Sequence, residues 1–300
     1  MIYTVTFNPA LDYVMNLKQL QYKDINRTES EQLYYGGKGI NVSVILSRLK
    51  VDNIALGFLA GFSGKKIEEM LNAENIKNDF VYLKKGYTRI NVKIKADEDY
   101  DINAQGPDIE LDELNALFDK FEKLKSGDFL VLAGSIPNSL PDDIYEEILA
   151  KLQNKGINFA VDATGDLLLN VLKYKPFLIK PNHHELGDVF GVEVKTEKEI
   201  AYYAKKLQEM GARNVLVSRS KDGATLVDEF GEVHSMGNVP GKVLNPVGCG
   251  DSMVAGFIAG CENGDYEYAL KLGTASGGAT AFSDGLAEKK TIDELMEQLA

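Results

Sequence analysis

Residues 245–257 read Asn-Pro-Val-Gly-Cys-Gly-Asp-Ser-Met-Val-Ala-Gly-Phe, which predicts a tight turn leading into a helix. Asn-Pro commonly opens a turn, and Gly248 and Gly250 let the backbone bend sharply before the small apolar residues begin. The unpaired N–H groups and the dipole at such a helix start favour an anion. Asp251 would then lie where a phosphoryl group arrives and could accept a proton from an attacking hydroxyl. Taken alone, the motif also fits an ordinary glycine-rich helix cap.

A second glycine cluster, Gly36-Gly37-Lys38-Gly39-Ile40-Asn41, also stands at a predicted helix start, because apolar residues then recur at helical spacing. Gly37 would let the backbone approach a ligand closely. Lys38 adds positive charge where anions are already favoured, and Asn41 offers a donor and an acceptor for a sugar hydroxyl. A helix cap with an exposed lysine is the alternative. The cluster is not a P-loop, and no dinucleotide-binding Gly-x-Gly-x-x-Gly follows a strand.

From residue 110 onward, buried strands alternate with amphipathic helices. Strands are predicted at 129–133, 159–161, 177–179 and 215–217. Their alternation with helices is typical of an α/β fold with a mostly parallel central sheet and helices on both faces. Residues 89–95 instead alternate strictly between apolar and polar, which predicts a half-exposed strand in a separate small sheet. We predict one domain over 1–300, with the small sheet drawn from about 11–35 and 88–104.

Composition excludes several classes of protein. The 300 residues carry a formal net charge of -12, with 44% hydrophobic and 26% charged residues, as in a globular protein able to bury a sizeable core. The acidic balance argues against non-specific binding of nucleic acid, whose phosphates need Lys and Arg. The 2 cysteines form no Cys-x-x-Cys pair and suggest a reducing compartment. No apolar run approaches the ~20 residues of a membrane span, and the N-terminus predicts a strand instead of a signal peptide. We therefore expect a cytoplasmic protein.

Polar residues follow several predicted strands, and ligands of such sheets bind beyond the carboxyl ends of the strands. These residues are Asp162, Asn182, Glu185 and Ser218. Asn182 and Glu185 could hold water around Mg²⁺, although Glu185 also fits a first-turn glutamate favoured by the helix dipole. His183 and His184 are adjacent on a predicted helix, so their side chains do not converge on one metal.

Candidates for binding a phosphorylated sugar lie in the first hundred residues. Asp12 follows the first strand, and its carboxylate could accept hydrogen bonds from two sugar hydroxyls. By position alone, an aspartate in a surface turn is an equal alternative. Arg89 shares the polar face of its strand with Lys93 and could fork onto a phosphate, the alternative being a solvated strand face. Arg27 is a further candidate of the same kind. Cys249 has no evident His–Asp partner set, so a small neutral loop residue is the simpler interpretation.

In this order, the motifs resemble the PfkB (ribokinase-like) family of carbohydrate kinases over essentially the whole chain. Residues 36–41 look like the first signature of that family and residues 247–251 like its second. Asn182 and Glu185 match its Asn-x-x-Glu magnesium motif. The chain departs from the family pattern at 218–220, where Ser-Leu-Gly is common, and at 245–246, where Asp-Thr is common.

The resemblance implies a three-layer α/β/α sandwich with a mostly parallel sheet and a small β-sheet lid, through which a homodimer forms. It implies Asp251 as the catalytic base and an anion hole made by Gly248, Cys249 and Gly250. The residues expected to bind the sugar phosphate are Asp12, Gly37, Lys38, Asn41, Arg89 and Arg27. Those expected to bind the nucleotide are Lys180, Ser218, Lys221, Gly223 and Ser283. Mg²⁺ would be held by Asn182 and Glu185 through water.

The activity implied by the resemblance is ATP-dependent phosphorylation of a ketose phosphate. Residues 6–12 and 88–93 are most similar to the branch of the family that converts fructose 1-phosphate to fructose 1,6-bisphosphate. The sequence at 244–248 is shared with the tagatose 6-phosphate kinases. Tagatose 6-phosphate and fructose 6-phosphate therefore remain alternative substrates. Lys38, Arg89 and Lys93 favour a phosphorylated substrate over an uncharged pentose or nucleoside. A non-catalytic sugar-phosphate sensor is a further alternative, which would release no ADP. Neither nucleic acid nor a membrane is expected as a partner.

Overall fold

The computed structural model describes residues 1–261 and 264–299, and the strands of this part of the chain form two separate sheets. The strands are β1 (Ile2–Thr6), β2 (Ala10–Asn16), β3 (Ser30–Gly36), β4 (Asn53–Ala60), β5 (Val81–Leu83), β6 (Arg89–Lys95), β7 (Asp99–Ile102), β8 (Phe129–Ala133), β9 (Asn158–Asp162), β10 (Leu178–Ile179), β11 (Asn214–Ser218), β12 (Ala224–Val227) and β13 (Val233–Met236).

The α-helices of the described residues surround the larger sheet. They are α1 (Lys38–Arg48), α2 (Gly61–Ala73), α3 (Leu111–Phe121), α4 (Ile144–Leu152), α5 (Gly165–Val171), α6 (His183–Phe190), α7 (Glu197–Glu209), α8 (Cys249–Gly260), α9 (Tyr266–Ala281) and α10 (Lys289–Gln298). None of them is long and apolar enough to cross a bilayer.

The larger sheet has the strand order β13-β12-β11-β10-β9-β8-β1-β4-β5. All neighbours from β11 to β5 pair in parallel, whereas β12 pairs antiparallel with β11 and β13 pairs antiparallel with β12. From β1 the chain builds outward through β4 and β5, and it then returns to build through β8 on the other side. The strand order therefore reverses between β1 and β8, which is where ligands bind in open α/β sheets.

Two hydrophobic cores lie on opposite faces of this sheet. Leu130 and Leu132 of β8 belong to one core, together with residues of α3, α4, α5 and α7. Val131, between them, belongs to the other core with residues of α1, α8, α9 and α10. This split follows from the strand geometry, because successive side chains point to opposite faces. The prediction of an α/β sandwich with helices on both faces of a mostly parallel sheet is confirmed.

The smaller sheet has the order β3-β2-β6-β7. Strands β2 and β6 are parallel, with Asp12 opposite Asn91, and β3 and β7 flank them in antiparallel pairing. Residues 17–29 connect β2 to β3 as a loop, where the sequence had suggested more strand on both sides. The strictly alternating segment 89–95 is β6, so the prediction of a separate small sheet is confirmed.

Close packing between α8 and α9 sets the position of the glycine-rich turn that precedes α8. A Cβ at Gly256 would lie 2.5 Å from the Leu272 carbonyl oxygen, and one at Gly260 would lie 2.6 Å from the Ala269 Cα. The two backbones therefore approach more closely than side chains would allow. Helix α8 is almost entirely buried, as expected for a helix that is apolar on all sides. The start of α8 also packs against α9, because a Cβ at Gly277 would lie 3.1 Å from the Cys249 carbonyl oxygen.

Candidate active site

Helix α8 begins at the turn predicted from the sequence. Its N-cap residue, Gly248, has a φ of 81°, and a Cβ there would lie 2.7 Å from Leu286 Cδ2. The left-handed conformation favours glycine, whereas a Cβ could be accommodated by a shift of the flexible end of Leu286. The helical ladder starts with the Ser252 N–H, which donates to the Gly248 carbonyl at 2.8 Å. The N–H groups that precede it are those of Cys249, Gly250 and Asp251. By helix geometry they have no partner within α8, so they can donate to an anion.

The carboxylate of Asp251 is buried at this helix start. Asn41 Nδ2 donates to Asp251 Oδ2 at 2.8 Å. Burial raises the pKa of Asp251 to about 6, and the negative charge of Asp162 adds to the rise. The hydrogen bond from Asn41 and the charges of Lys38 and Lys180 act in the opposite direction. A carboxylate with a raised pKa that still ionises near neutral pH suits general-base chemistry.

Two lysines converge on Asp162 beside this carboxylate. Lys38 Nζ lies 3.0 Å from Asp162 Oδ2, and Lys180 Nζ lies 3.3 Å from Asp162 Oδ1. Burial favours the protonated acid, but the charges of Lys180 and Lys38 outweigh it and hold the pKa of Asp162 below its usual range. Lys180 Nζ also lies 3.0 Å from the position of a Cβ on Gly250. The positive charges of Lys38 and Lys180 and the carboxylates of Asp162 and Asp251 therefore lie together at the helix start.

The first glycine cluster brings α1 directly onto the end of β1. Gly37 has a φ of 133°, and a Cβ there would lie 2.6 Å from Thr6 Cγ2. The Ile40 N–H donates to Thr6 Oγ1 at 3.0 Å, which satisfies a donor in the first turn of the helix. This contact fixes the direction of α1, so that Lys38 and Asn41 both reach the start of α8.

The smaller sheet contributes a carboxylate and a guanidinium to the same end of the molecule. Asn91 Nδ2 donates to Asp12 Oδ1 at 2.8 Å. Arg89 Nε donates to the Asn8 carbonyl at 3.1 Å, and its Nη1 donates to the Ala104 carbonyl at 3.3 Å. Burial lowers the pKa of Arg89, and the negative charge of Asp12 opposes that shift. Arg89 is therefore held by backbone carbonyls close to Asp12.

Four of the five residues expected to bind a nucleotide, Lys180, Ser218, Lys221 and Gly223, lie at or just after the ends of β10 and β11. A cavity of about 650 Å³ there includes Lys221 in its lining. Gly223 has a φ of 89°, and a Cβ on it would lie 2.0 Å from the Met236 carbonyl oxygen, so the backbone alone requires glycine. Ser218 pairs with Asn182 through an isolated β-bridge. Ser283 follows α9, and its Oγ donates to the Ala279 carbonyl at 2.8 Å.

The Asn182–Glu185 pair forms the N-terminal cap of α6. Asn182 Oδ1 accepts the N–H groups of His184 and Glu185 at 2.9 Å, and Glu185 Oε2 accepts the Asn182 N–H at 2.7 Å. Burial lowers the pKa of Lys38, but the negative charges of Asp162 and Asp251 raise it above its usual value, and Glu185 adds the smallest contribution to that rise. Among the residues described, no group of three or more His, Cys, Asp or Glu side chains forms a metal cage.

Comparison with known proteins assigns the chain to a family. The model of the pfkB family carbohydrate kinases matches residues 5–292. The chain belongs to this family. It is 44% identical to the 1-phosphofructokinase of Bacillus subtilis over 301 residues, which cover 100% of this chain and 98% of that protein. It is 37% identical to the D-tagatose-1-phosphate kinase of Bacillus licheniformis over 301 residues, covering 100% and 98%.

A solved structure of a pfkB-type enzyme has the same fold. The phosphofructokinase-2 of Escherichia coli in complex with substrates and products superposes with a TM-score of 0.93 at 27% identity, covering 99% of both chains. The family resemblance seen in the motifs is thus confirmed, and the chain is a sugar-phosphate kinase. Enzymes of this pfkB family use ATP as co-substrate.

The structure of this pfkB-family chain brings most of the predicted site residues to one end of the fold, but Arg27 lies elsewhere. It is exposed in the 17–29 loop, beyond the Asn16–Ser30 pair, whereas Asp12 pairs with Tyr34 further along the same hairpin. Four residues of strand separate Asp12 from Asn16, about 13 Å. Within one chain, therefore, Arg27 is not adjacent to the sugar-side residues.

Asp162 is the site residue whose importance the sequence underestimated. It was recognised as a polar residue at a strand end, but its position between two lysines could not be read from the sequence. Its partners lie 124 positions before and 18 positions after it in the chain. The available signal was a polar residue at the end of a buried strand. Asn182 and Ser218 share that signal, so it did not distinguish Asp162 from them.

Cys249 is a loop residue with an unreactive thiol. Burial raises its pKa to about 11, and the nearby charge of Asp251 adds to the rise. A thiol with so high a pKa is almost entirely protonated at neutral pH, and only the thiolate is a strong nucleophile. This agrees with the interpretation that the turn needs a small neutral side chain at position 249.

Proposed function

We propose that this kinase phosphorylates fructose 1-phosphate at its 6-hydroxyl to give fructose 1,6-bisphosphate, with Asp251 as the base. The observation that carries the proposal is the buried Asp251 carboxylate, hydrogen-bonded by Asn41 at 2.8 Å, at a helix start with free N–H groups. Identity of 44% to a 1-phosphofructokinase over the whole chain supports this choice of sugar.

The proposed mechanism uses positioning and charge more than covalent chemistry. Asp251 orients the sugar hydroxyl and accepts its proton as the oxygen attacks the γ-phosphorus of ATP in line with the leaving ADP. The N–H groups of Cys249, Gly250 and Asp251 donate to the equatorial phosphoryl oxygens. Lys180, which is buried, and Lys38, whose side chain is partly exposed, add positive charge beside Asp162, and electrostatic stabilisation is strongest at the buried lysine.

The sugar phosphate would lie between the smaller sheet and α1. Asp12 accepts hydroxyl groups, while Arg89 and the Gly37–Lys38 backbone meet the phosphate or the neighbouring hydroxyls. Two of the three donor nitrogens of Arg89 already bind backbone carbonyls. Both N–H groups of Nη2 and the second N–H of Nη1 are left to reach the substrate, which fits a side chain aimed before the ligand arrives.

The residues Asn182 and Glu185 fit Mg²⁺ held through water. Glu185 Oε2 is bound to the Asn182 backbone, so Oε1 is the oxygen left for water of a hydrated cation, and Mg²⁺ commonly keeps several waters. When bound, the ion would neutralise charge on the nucleotide phosphates. The capping arrangement keeps the carboxylate in one orientation.

A homodimer through the smaller sheet is part of the proposal. Its edge strands expose large apolar side chains, with 41% of Leu33, 41% of Tyr100 and 59% of Ile102 accessible. Edge strands with exposed apolar residues favour pairing with another chain. The sheet would also act as a lid that excludes water, so that ATP is not simply hydrolysed.

A coupled assay of ADP release tests the activity. Purified protein is given ATP and Mg²⁺ with fructose 1-phosphate, tagatose 6-phosphate, fructose 6-phosphate or tagatose 1-phosphate at equal concentration. The highest kcat/KM is expected for fructose 1-phosphate. A tagatose phosphate is the second candidate, because the chain is 37% identical to a D-tagatose-1-phosphate kinase. ADP release with none of the sugars would instead favour the non-catalytic sensor and refute the proposal.

A further inference from the structure

Arg48 joins α1 to the segment that precedes α10. It lies two turns beyond Asn41, and residues seven apart share a face of a helix. Arg48 Nη1 donates to the carbonyls of Leu286 at 2.6 Å and Ala287 at 3.2 Å. Its Nη2 donates to Glu74 Oε2 at 2.9 Å and lies 3.3 Å from Glu288 Oε1. One mostly buried guanidinium thus holds two backbone carbonyls and two carboxylates.

The segment held by Arg48 is in turn packed on the anion-hole turn. Leu286 Cδ2 lies 2.7 Å from the position of a Cβ on Gly248, so its side chain covers that residue. The Ala287 N–H donates to Thr280 Oγ1 at 3.2 Å, and this hydroxyl lies 2.8 Å from Ser252 Oγ in the first turns of α8. Residues 286 and 287 are therefore bound to Arg48 on one side and to the start of α8 on the other.

Glu74 fixes the orientation of Arg48. Tyr35 of the smaller sheet donates its hydroxyl to Glu74 Oε1 at 2.8 Å, while the other oxygen accepts from Arg48. A carboxylate bound at both oxygens has little freedom to rotate, and the bidentate donors of arginine match such a fixed geometry. A lysine at position 48 would keep the charge but could not satisfy all these acceptors.

We propose that Arg48 is a positioning residue, which keeps residues 286–288 against Gly248 and thereby maintains the nucleotide side of the active site. The inference rests on the proposed function in one respect, that ATP binds at the start of α8. Arg48 itself touches none of Asp251, Lys38 or Lys180 through a hydrogen bond or ion pair in the described residues. Its removal should weaken nucleotide binding and leave the sugar phosphate, bound by Asp12 and Arg89, unaffected.

The test measures the two ligands separately. Calorimetric titrations use a non-hydrolysable ATP analogue with Mg²⁺, and fructose 1-phosphate, on Arg48→Met, Arg48→Lys and wild-type protein. Displacement of residues 286–288 from Gly248 should raise the Kd of the analogue about tenfold in Arg48→Met and about threefold in Arg48→Lys. The Kd of the sugar phosphate should not change.

Arg213→Met is the matched control. Arg213 is also ion-paired, with its Nη2 2.6 Å from Glu229 Oε2, but it precedes β11 at the opposite end of the sheet from the site. The Arg213→Met variant should have a lower melting temperature, with the Kd of the ATP analogue and the Kd of fructose 1-phosphate both unchanged. An analogue Kd equal to that of wild type in Arg48→Met, or equal losses for both ligands, would overturn the inference. If Arg48→Met does not fold, Arg48→Lys decides by the same criterion. Wild-type protein that fails to bind the analogue would instead overturn the proposed function, and the inference with it.

Discussion

Asn41 Nδ2 donates to Asp251 Oδ2 at 2.8 Å, which joins the first turn of α1 to the first turn of α8 across 210 positions of the chain. Both helices start at a glycine cluster at the same end of the sheet, so their free N–H groups and their polar side chains meet. The hydrogen bond holds the carboxylate in one orientation. It also favours the ionised form, against the rise in the pKa of Asp251 that burial produces.

Asp251→Asn should lower kcat at least about a hundredfold, because an amide cannot accept the hydroxyl proton. The side chain keeps its size, so binding of both substrates should remain. Steady-state ADP release with fructose 1-phosphate measures the change. Asp119→Asn, an exposed aspartate on α3, is the control and should be fully active. Turnover close to wild type in Asp251→Asn would contradict the role of Asp251 as base.

Asp251→Asn should also stabilise the protein at pH 7. The folded-state pKa of Asp251 is about 6, above its ordinary value of 3.8, so the ionised carboxylate opposes folding at higher pH. This loss of folding free energy is fully present above about pH 6, the folded-state pKa. It decreases as the pH falls below 6 and is gone below about 3.8, the pKa in the unfolded chain. The free energy of unfolding should rise by about 1–3 kcal/mol in the variant at pH 7.

Urea unfolding of wild type and Asp251→Asn at several pH values measures this difference. The two stabilities should converge as the pH approaches 4. The measurement involves no substrate, whose own phosphate titrates near pH ~6 and would obscure a rate profile. A difference that stays constant between pH 4 and 8 would show that Asp251 has an ordinary pKa in the folded protein.

Lys180→Met should lower kcat about a hundredfold, as expected when one group that stabilises transition-state charge is removed. Lys180 is buried, and its Nζ reaches both Asp162 and the Gly250 region of the anion hole. Kinetics of ADP release are compared with those of Lys195→Met, whose lysine is paired with Glu193 at the surface. If Lys180→Met lowers the melting temperature alone, with kcat preserved, the lysine serves the fold and not the reaction.

Arg89→Ala should raise the KM for the sugar phosphate about ten- to a hundredfold, the range expected for a lost hydrogen bond to a charged group. The KM for ATP should stay unchanged, because Arg89 lies in the smaller sheet and does not line the cavity that contains Lys221. Lys95→Ala, at the exposed end of the same strand, is the control. An unaltered KM for the sugar phosphate in Arg89→Ala would refute phosphate binding by this sheet.

Ile102→Lys should convert the proposed dimer into monomers, because it places a charge on the exposed apolar edge of the smaller sheet. Light scattering after size-exclusion chromatography measures the mass. Val233→Lys makes the same change on β13, the edge strand of the larger sheet, and should leave the dimer intact. A wild-type protein that is monomeric, or an Ile102→Lys variant that stays dimeric, would exclude this interface.

Much of the fold followed from local patterns. The continuous apolar run at 129–133 predicted β8, because a strand buried on both faces is apolar throughout. The strict alternation at 89–95 predicted β6, because a strand buried on one face alternates apolar and polar residues. The antiparallel strands β12 and β13 were not predicted. They extend an edge of the larger sheet, where pairing with β11 and not hydrophobic periodicity decides the structure.

The site divides in the same way. The sequence alone predicted both helix starts and singled out Asp251, because glycine and turn requirements act over a few residues and leave local patterns. It proposed Asn182 and Glu185 for Mg²⁺, and the structure shows that they also cap α6. Only the tertiary structure put Asp162 between Lys38 and Lys180, raised the pKa of Asp251, and separated Arg27 from Asp12. These features depend on distances and on exclusion of water between segments far apart in the chain, and such contacts arise only when the strands take their order in the sheet.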